Sequence, residues 1–189
     1  MRAPTMRLNA KQRRTGAMRR DRSGSAAIEF ALIAPVLFVF LMGIIETGVI
    51  FFAQFVLQNA VNDAARQIRT GQVAASAMTQ AQFRALVCSE IGPVMGCGTN
   101  LQIDVESYNG FSGANFGNPL TAGNTLDPTL DNWLPGTYCS IVLVRVFYTW
   151  DVVTPLLTPF LSNMANNQHL IAASAAFRNE PYSTGVAGC

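Results

Sequence analysis

Gly24-Ser25-Ala26-Ala27-Ile28-Glu29-Phe30 opens a stretch that stays apolar from Ala31 to Ile45, meets Glu46, and keeps a helical pattern to about Ile68. No residue from Ala31 to Ile45 is charged. At 1.5 Å rise per residue, about 20 residues cross a ~30 Å hydrocarbon core. A span over roughly residues 27–46 therefore puts Glu29 about one turn inside one interface and Glu46 at the other. Pro35 removes one backbone hydrogen bond, which a transmembrane helix absorbs with a kink. After Glu46 the pattern becomes two-faced. Ala53, Leu57, Val61, Ala64 and Ile68 form an apolar stripe, and Gln54, Gln58, Asn62 and Arg66 form a polar one. That is an amphipathic helix needing cover on one side. Arg66 and Arg69 suit its last turn, and Gly71 suits a left-handed terminator. One long helix over residues 25–70 is the expectation, half span and half stalk.

The flanks orient it. Of 189 residues, the first 24 carry eight Lys/Arg against Asp21, a balance of +7, while the rest carries −5, which gives the net +2. Cations directly before an apolar segment put the N-terminus in the cytoplasm and the C-terminal part outside. A basic arm for nucleic acid is the rival use of this charge, and adjacency to the span argues for orientation instead, so no nucleic-acid partner is expected. A cleaved secretory signal fits poorly. The basic region is too long, and Ala75-Ser76-Ala77 lies too far beyond the apolar run. An uncleaved signal anchor remains a rival on topology alone.

Residues 71–189 read as an exported α+β domain. Thr79 and Gln82 form a capping-box pattern ahead of Phe83, Leu86, Val87 and Ile91, and Gly92-Pro93 ends that helix. Leu101 to Tyr108 alternates, with Leu101, Ile103 and Val105 inward and Gln102, Asp104 and Glu106 outward. Tyr138 to Trp150 reads as a more buried strand with Val142, Val144, Val146 and Tyr148 inward. His169 to Arg178 suits a third strand, although its Ala-rich middle equally suits a helix. The Gly/Asn-rich residues 109–137 form a connection of the length that is usually functional or mobile. Pro155 to Leu161 is an apolar loop or short helix that rests on the membrane surface or on the stalk. A second span over Ile141–Leu161 is disfavoured by Arg145, Asp151 and two prolines.

All four cysteines, Cys88, Cys97, Cys139 and Cys189, lie beyond the span. In an oxidising compartment disulfides persist. Cys88 and Cys97 flank the Gly92-Pro93 break and suit a small loop, which leaves Cys139 for Cys189, but three connectivities are open. No metal, phosphate-cradling or nucleophile motif is present, and His169 is the one imidazole. Asp127 and Asp131 lack the dense spacing of a calcium loop and read as a solvated turn. The expectation is a non-enzyme with no catalytic, cofactor-binding or metal residues, no cofactor and no small-molecule substrate.

Gly24 followed by Ser25, with Glu29 fifth and Phe30 sixth after Gly24, matches the type IV prepilin cleavage pattern. The string from Arg22 to Pro35, continued by Gly43-Ile44-Ile45-Glu46-Thr47-Gly48, resembles the TadE-like family of Tad/Flp pilus systems, over about Arg22 to Arg66. The resemblance implies a type IV pilin-like fold, in which a small antiparallel sheet packs on the helix. It implies that a prepilin peptidase removes a basic leader, residues 1–24, by cutting between Gly24 and Ser25, and that Glu29, Phe30 and Glu46 serve assembly. In pilin-like assemblies the Glu equivalent to Glu29 pairs with the new α-amine of a neighbouring subunit. On the residues alone Glu29 reads as a carboxylate snorkelling to headgroups. The implied protein is a minor pseudopilin of the bacterial cytoplasmic membrane, working with other Tad/Flp pilins and assembly proteins and with membrane lipid. The alternative is a membrane-anchored extracytoplasmic binding module with its signal anchor uncleaved.

Overall fold

The computed structural model describes residues 23–114 and 116–182. Residues 1–22 of the basic leader, Asn115 and residues 183–189, with Cys189, lie outside the described residues. Helix α1 is Ser23–Arg69, with Pro35 inside it. The chain divides into two units, Met1–Met42 and Gly43–Cys189, and α1 contributes to both.

In the first unit the described residues are helical and most of their large apolar side chains are exposed. Leu32, Val36 and Phe40 are 73%, 70% and 71% exposed, a surface that only lipid or protein can cover favourably. Among the described residues α1 is the one helix long and apolar enough to cross a membrane.

The second unit is α+β. The rest of α1 is followed by α2 (Gln72–Ala75), α3 (Gln80–Ile91), β1 (Leu101–Tyr108), β2 (Ile141–Asp151), α4 (Thr158–Leu161) and β3 (Gln168–Arg178). The sheet order is β1-β2-β3, antiparallel throughout. The stalk stripe behaves as its spacing requires: Ala53, Leu57, Val61, Ala64 and Ile68 are all buried, in one core with Val105, Val142, Val144, Val146, Ile171 and Ala173 of the sheet. Full burial of a side chain such as Leu57 or Ile68 contributes about 1.5–3 kcal/mol. Gly71 stops α1 with φ 77°, and its N–H donates to the Ile68 carbonyl. Thr79 and Gln82 form the expected reciprocal cap of α3, whose Phe83, Val87 and Ile91 join the core.

The Ala-rich segment resolves as strand, not helix. It pairs along its whole length with β2, and its small inward residues let α1 lie close to the sheet. Gln54 and Gln58, from the polar stripe of α1, donate to the Ala172 and Ser174 carbonyls of this edge strand. Edge carbonyls that would otherwise invite another chain are thereby covered from within. The apolar segment Ile141–Leu161 is no second span: it begins as the central strand β2, whose residues Ile141 to Tyr148 are buried on both faces.

The later part of the long connection, residues 127–134, is pinned rather than free. The Val105 N–H donates to the Asn132 carbonyl, and the Leu134 N–H donates to the Val105 carbonyl, so this segment lines the outer edge of β1. Gln102 donates to the Asp127 and Leu130 carbonyls, and Trp133 packs against Phe83 with ring centres 5.1 Å apart and planes tilted by 47°.

Candidate functional site

The residues with an expected role in processing and assembly lie on α1. Gly24 sits inside the helix, exposed, and a Cβ there would touch nothing within 4 Å. One turn on, the Ser25 hydroxyl donates to Glu29 Oε1 at 3.3 Å, so Ser25 and Glu29 share one face. Glu29 is exposed and, among the described residues, makes no ion pair. Phe30 is 65% exposed beside it. The first unit therefore offers a carboxylate and an aromatic ring on an apolar helix surface, with no partner for the charge among the described residues.

Glu46 is placed differently. It is buried, and its carboxylate accepts the N–H groups of Val153 at 2.5 Å and Thr154 at 3.1 Å. A hydrogen bond to a charged acceptor is worth about 1.5–3 kcal/mol, more than a neutral one. Gly43, one turn earlier, lies under Leu157, whose Cδ1 would stand 2.9 Å from a Cβ at that position. These two contacts seat the segment after β2 against α1. Sequence reading placed Glu46 at an interface and the segment near the membrane or the stalk, but gave no reason to join the two.

A second polar centre was not anticipated. Asp104 and Arg145, opposite each other in β1 and β2, are both buried on the outward face of the sheet. Arg145 donates to Asp104 Oδ2 through Nε at 2.9 Å and Nη2 at 2.6 Å, and Nη2 also reaches Glu106 at 3.3 Å. Asn132 closes the cluster by donating to Asp104 Oδ1 from its backbone and its side chain. With its carboxylates and guanidinium held by one another, the cluster is built to fix the covering segment, not to receive a substrate.

Cys88 and Cys97 form a disulfide. Cys139 is also disulfide-bonded, while Cys189 lies outside the described residues. His169 is half-buried with Nδ1 2.5 Å from the Leu161 carbonyl. Asp127 caps its own turn, accepting from the Thr129 N–H and hydroxyl, and these bonds hold its carboxyl below the usual range. Asp131 accepts from Gln80. No group of three or more His, Cys, Asp or Glu able to hold a metal occurs among the described residues. A cleft of about 590 Å³ lies between the α1–α2 turn and Tyr182, and no charged side chain lines it.

Comparison with known proteins adds one match. No curated protein and no solved structure matches the chain. Residues 24–66, which begin at Gly24 and run through Glu29 and Glu46 into the stalk, match the family model described as TadE-like protein, and that segment of the chain is TadE-like.

Proposed function

We propose that this protein is a minor pseudopilin of a Tad/Flp pilus system, a non-catalytic subunit made with a basic leader and processed by a prepilin peptidase between Gly24 and Ser25. The span of α1, about residues 27–46, holds it in the bacterial cytoplasmic membrane with the N-terminus inside and residues 71–189 as an extracytoplasmic domain. Other Tad/Flp pilins and assembly proteins are its partners.

The observation that carries this reading is the TadE-like match starting at Gly24 itself. Gly24 lies in the first turn of α1, and among the described residues no neighbour comes within 4 Å of where its side chain would stand, so packing gives no reason for a glycine there. A peptidase that reads this position supplies a reason for it. Cleavage would leave the α-amine of Ser25 on the same helix face as Glu29. A carboxylate in lipid costs a few kcal/mol, which about one opposite charge offsets. Pairing between one subunit's Glu29 and a neighbour's Ser25 amine would set their register, with Phe30 packing beside it. Glu46 contributes to assembly indirectly in this reading, by holding the segment after β2 in place.

Intact mass of the protein recovered from cells containing a prepilin peptidase tests it. The wild type is expected to begin at Ser25, and Gly24→Leu, which the open helix surface accommodates, is expected to retain the leader. A wild-type protein that keeps residues 1–24 in such cells would overturn the reading.

A further inference from the structure

The segment after β2 exposes apolar side chains where a soluble domain would avoid them. Val153, Leu156 and Phe160 are 79%, 67% and 83% exposed, and Pro155 and Pro159 are exposed between them. No residue from Val152 to Gln168 carries a full charge. We infer that this segment, Val153 to Phe160, is a second membrane contact: an interfacial foot that lies in the outer boundary of the same bilayer α1 crosses.

Three observations choose lipid as the occupant. The first is position. Glu46 holds the Val153 and Thr154 N–H groups, and Leu157 sits on Gly43, so the foot is fixed to the turn of α1 where the uncharged run Ala31–Ile45 ends. That turn is the lipid–water boundary if α1 is the span. The second is its backbone. An interfacial segment must leave few unpaired donors. Here Val153 and Thr154 donate to Glu46, Leu157 to the Thr154 carbonyl, and Pro155 and Pro159 have no N–H. The Thr158 and Ser162 hydroxyls turn back onto the Pro155 and Thr158 carbonyls. The third is chemistry. A short apolar face with an aromatic tip is what buries into the headgroup–acyl boundary, about 5–10 Å deep. The foot would limit how far the domain can tilt or lift from the membrane, and would place it for extraction into a growing assembly.

The inference rests on the reading of α1 as a membrane span, and the experiment separates the two. The full chain is reconstituted in phosphatidylethanolamine/phosphatidylglycerol vesicles with the photo-crosslinker p-benzoyl-phenylalanine in place of Phe160, of Leu37 or of Phe116, all exposed side chains. Lipid adducts at residues 160 and 37, with none at 116, support the foot. Lipid adducts at 37 with none at 160 overturn the foot and leave the span standing. Adducts from 160 only to a second copy of the chain also overturn it. Absence of lipid adducts at 37 sinks the span, and the foot with it.

Discussion

The carboxylate of Glu46 accepts the backbone N–H groups of Val153 and Thr154, 107 and 108 residues further along the chain. One side chain thus fastens the segment after β2 to α1. Removing it in Glu46→Ala leaves two amides without their acceptor, a loss of about 1–3 kcal/mol in local stability. Glu46→Gln keeps a neutral carbonyl acceptor and is expected to retain roughly half of that, since charged acceptors are about twice as strong. Hydrogen exchange at the Val153 and Thr154 amides, in the full chain in detergent, reads the difference. Equal protection in the wild type and in Glu46→Ala would show that the bond contributes nothing.

Arg145→Met is expected to be among the most damaging single changes in the sheet. It leaves Asp104 fully buried without its counter-charge, at a cost of about 3–5 kcal/mol. The double change Asp104→Asn with Arg145→Met removes both charges and is expected to recover a large part of that loss. Urea unfolding followed by tryptophan fluorescence would report it through Trp133 and Trp150. A double variant no more stable than Arg145→Met would refute the assignment of the loss to the stranded carboxylate.

These two pairs also mark where the sequence stops being readable. Periodicity finds α1 and its buried stripe because every residue of that pattern lies within one helix. The Thr79–Gln82 cap and the alternation of β1 are legible for the same reason. Asp104 sits on the outward, polar side of that alternation, and in isolation it reads as solvated. It is buried because Arg145 lies across from it and the strip around Asn132 folds back onto it, and nothing local to β1 announces that. Glu46 likewise reads as interfacial until β2 delivers Val153 and Thr154 to it. Gln54 and Gln58 read as a solvated stripe, yet they serve the edge of β3. The β3 segment is ambiguous by composition, and its pairing with β2 decides it. On α1 the Gly24–Glu29 spacing is legible as a motif, but what meets Glu29 lies beyond a single chain.

The cysteines give a sharper test of compartment. Cys88 and Cys97 are bonded, and Cys139 is bonded as well. The second pairing is expected to be Cys139–Cys189, tying the chain end to the segment before β2. A non-reduced digest should yield both linked peptide pairs, and native protein should take up no alkylating reagent. Each bond closes a loop and contributes about 2–4 kcal/mol, so Cys88→Ser with Cys97→Ser should lower the unfolding midpoint without abolishing the fold. Alkylation of Cys139 in native, oxidised protein would exclude the second bond.

The turn that ends α1 carries a pH dependence. Gly71 has φ 77°, and a Cβ there would run into the ring of Tyr182, so Gly71→Ala should destabilise both through backbone strain and by expelling the ring. Seated against that turn, the Tyr182 hydroxyl is pushed above its usual range by burial, with a hydrogen bond to Asn179 acting the other way. A raised value means the folded chain holds this proton more tightly than the unfolded one. The contribution is therefore complete below the unfolded tyrosine value of about 10 and lost as pH climbs through the folded one. Tyr182→Phe has no proton to lose there. Thermal melts of the full chain in detergent between neutral and strongly alkaline pH should show the wild type falling more steeply than Tyr182→Phe above that value. Profiles that stay parallel through the alkaline range would mean that Tyr182 ionises as freely in the folded chain as in the unfolded one.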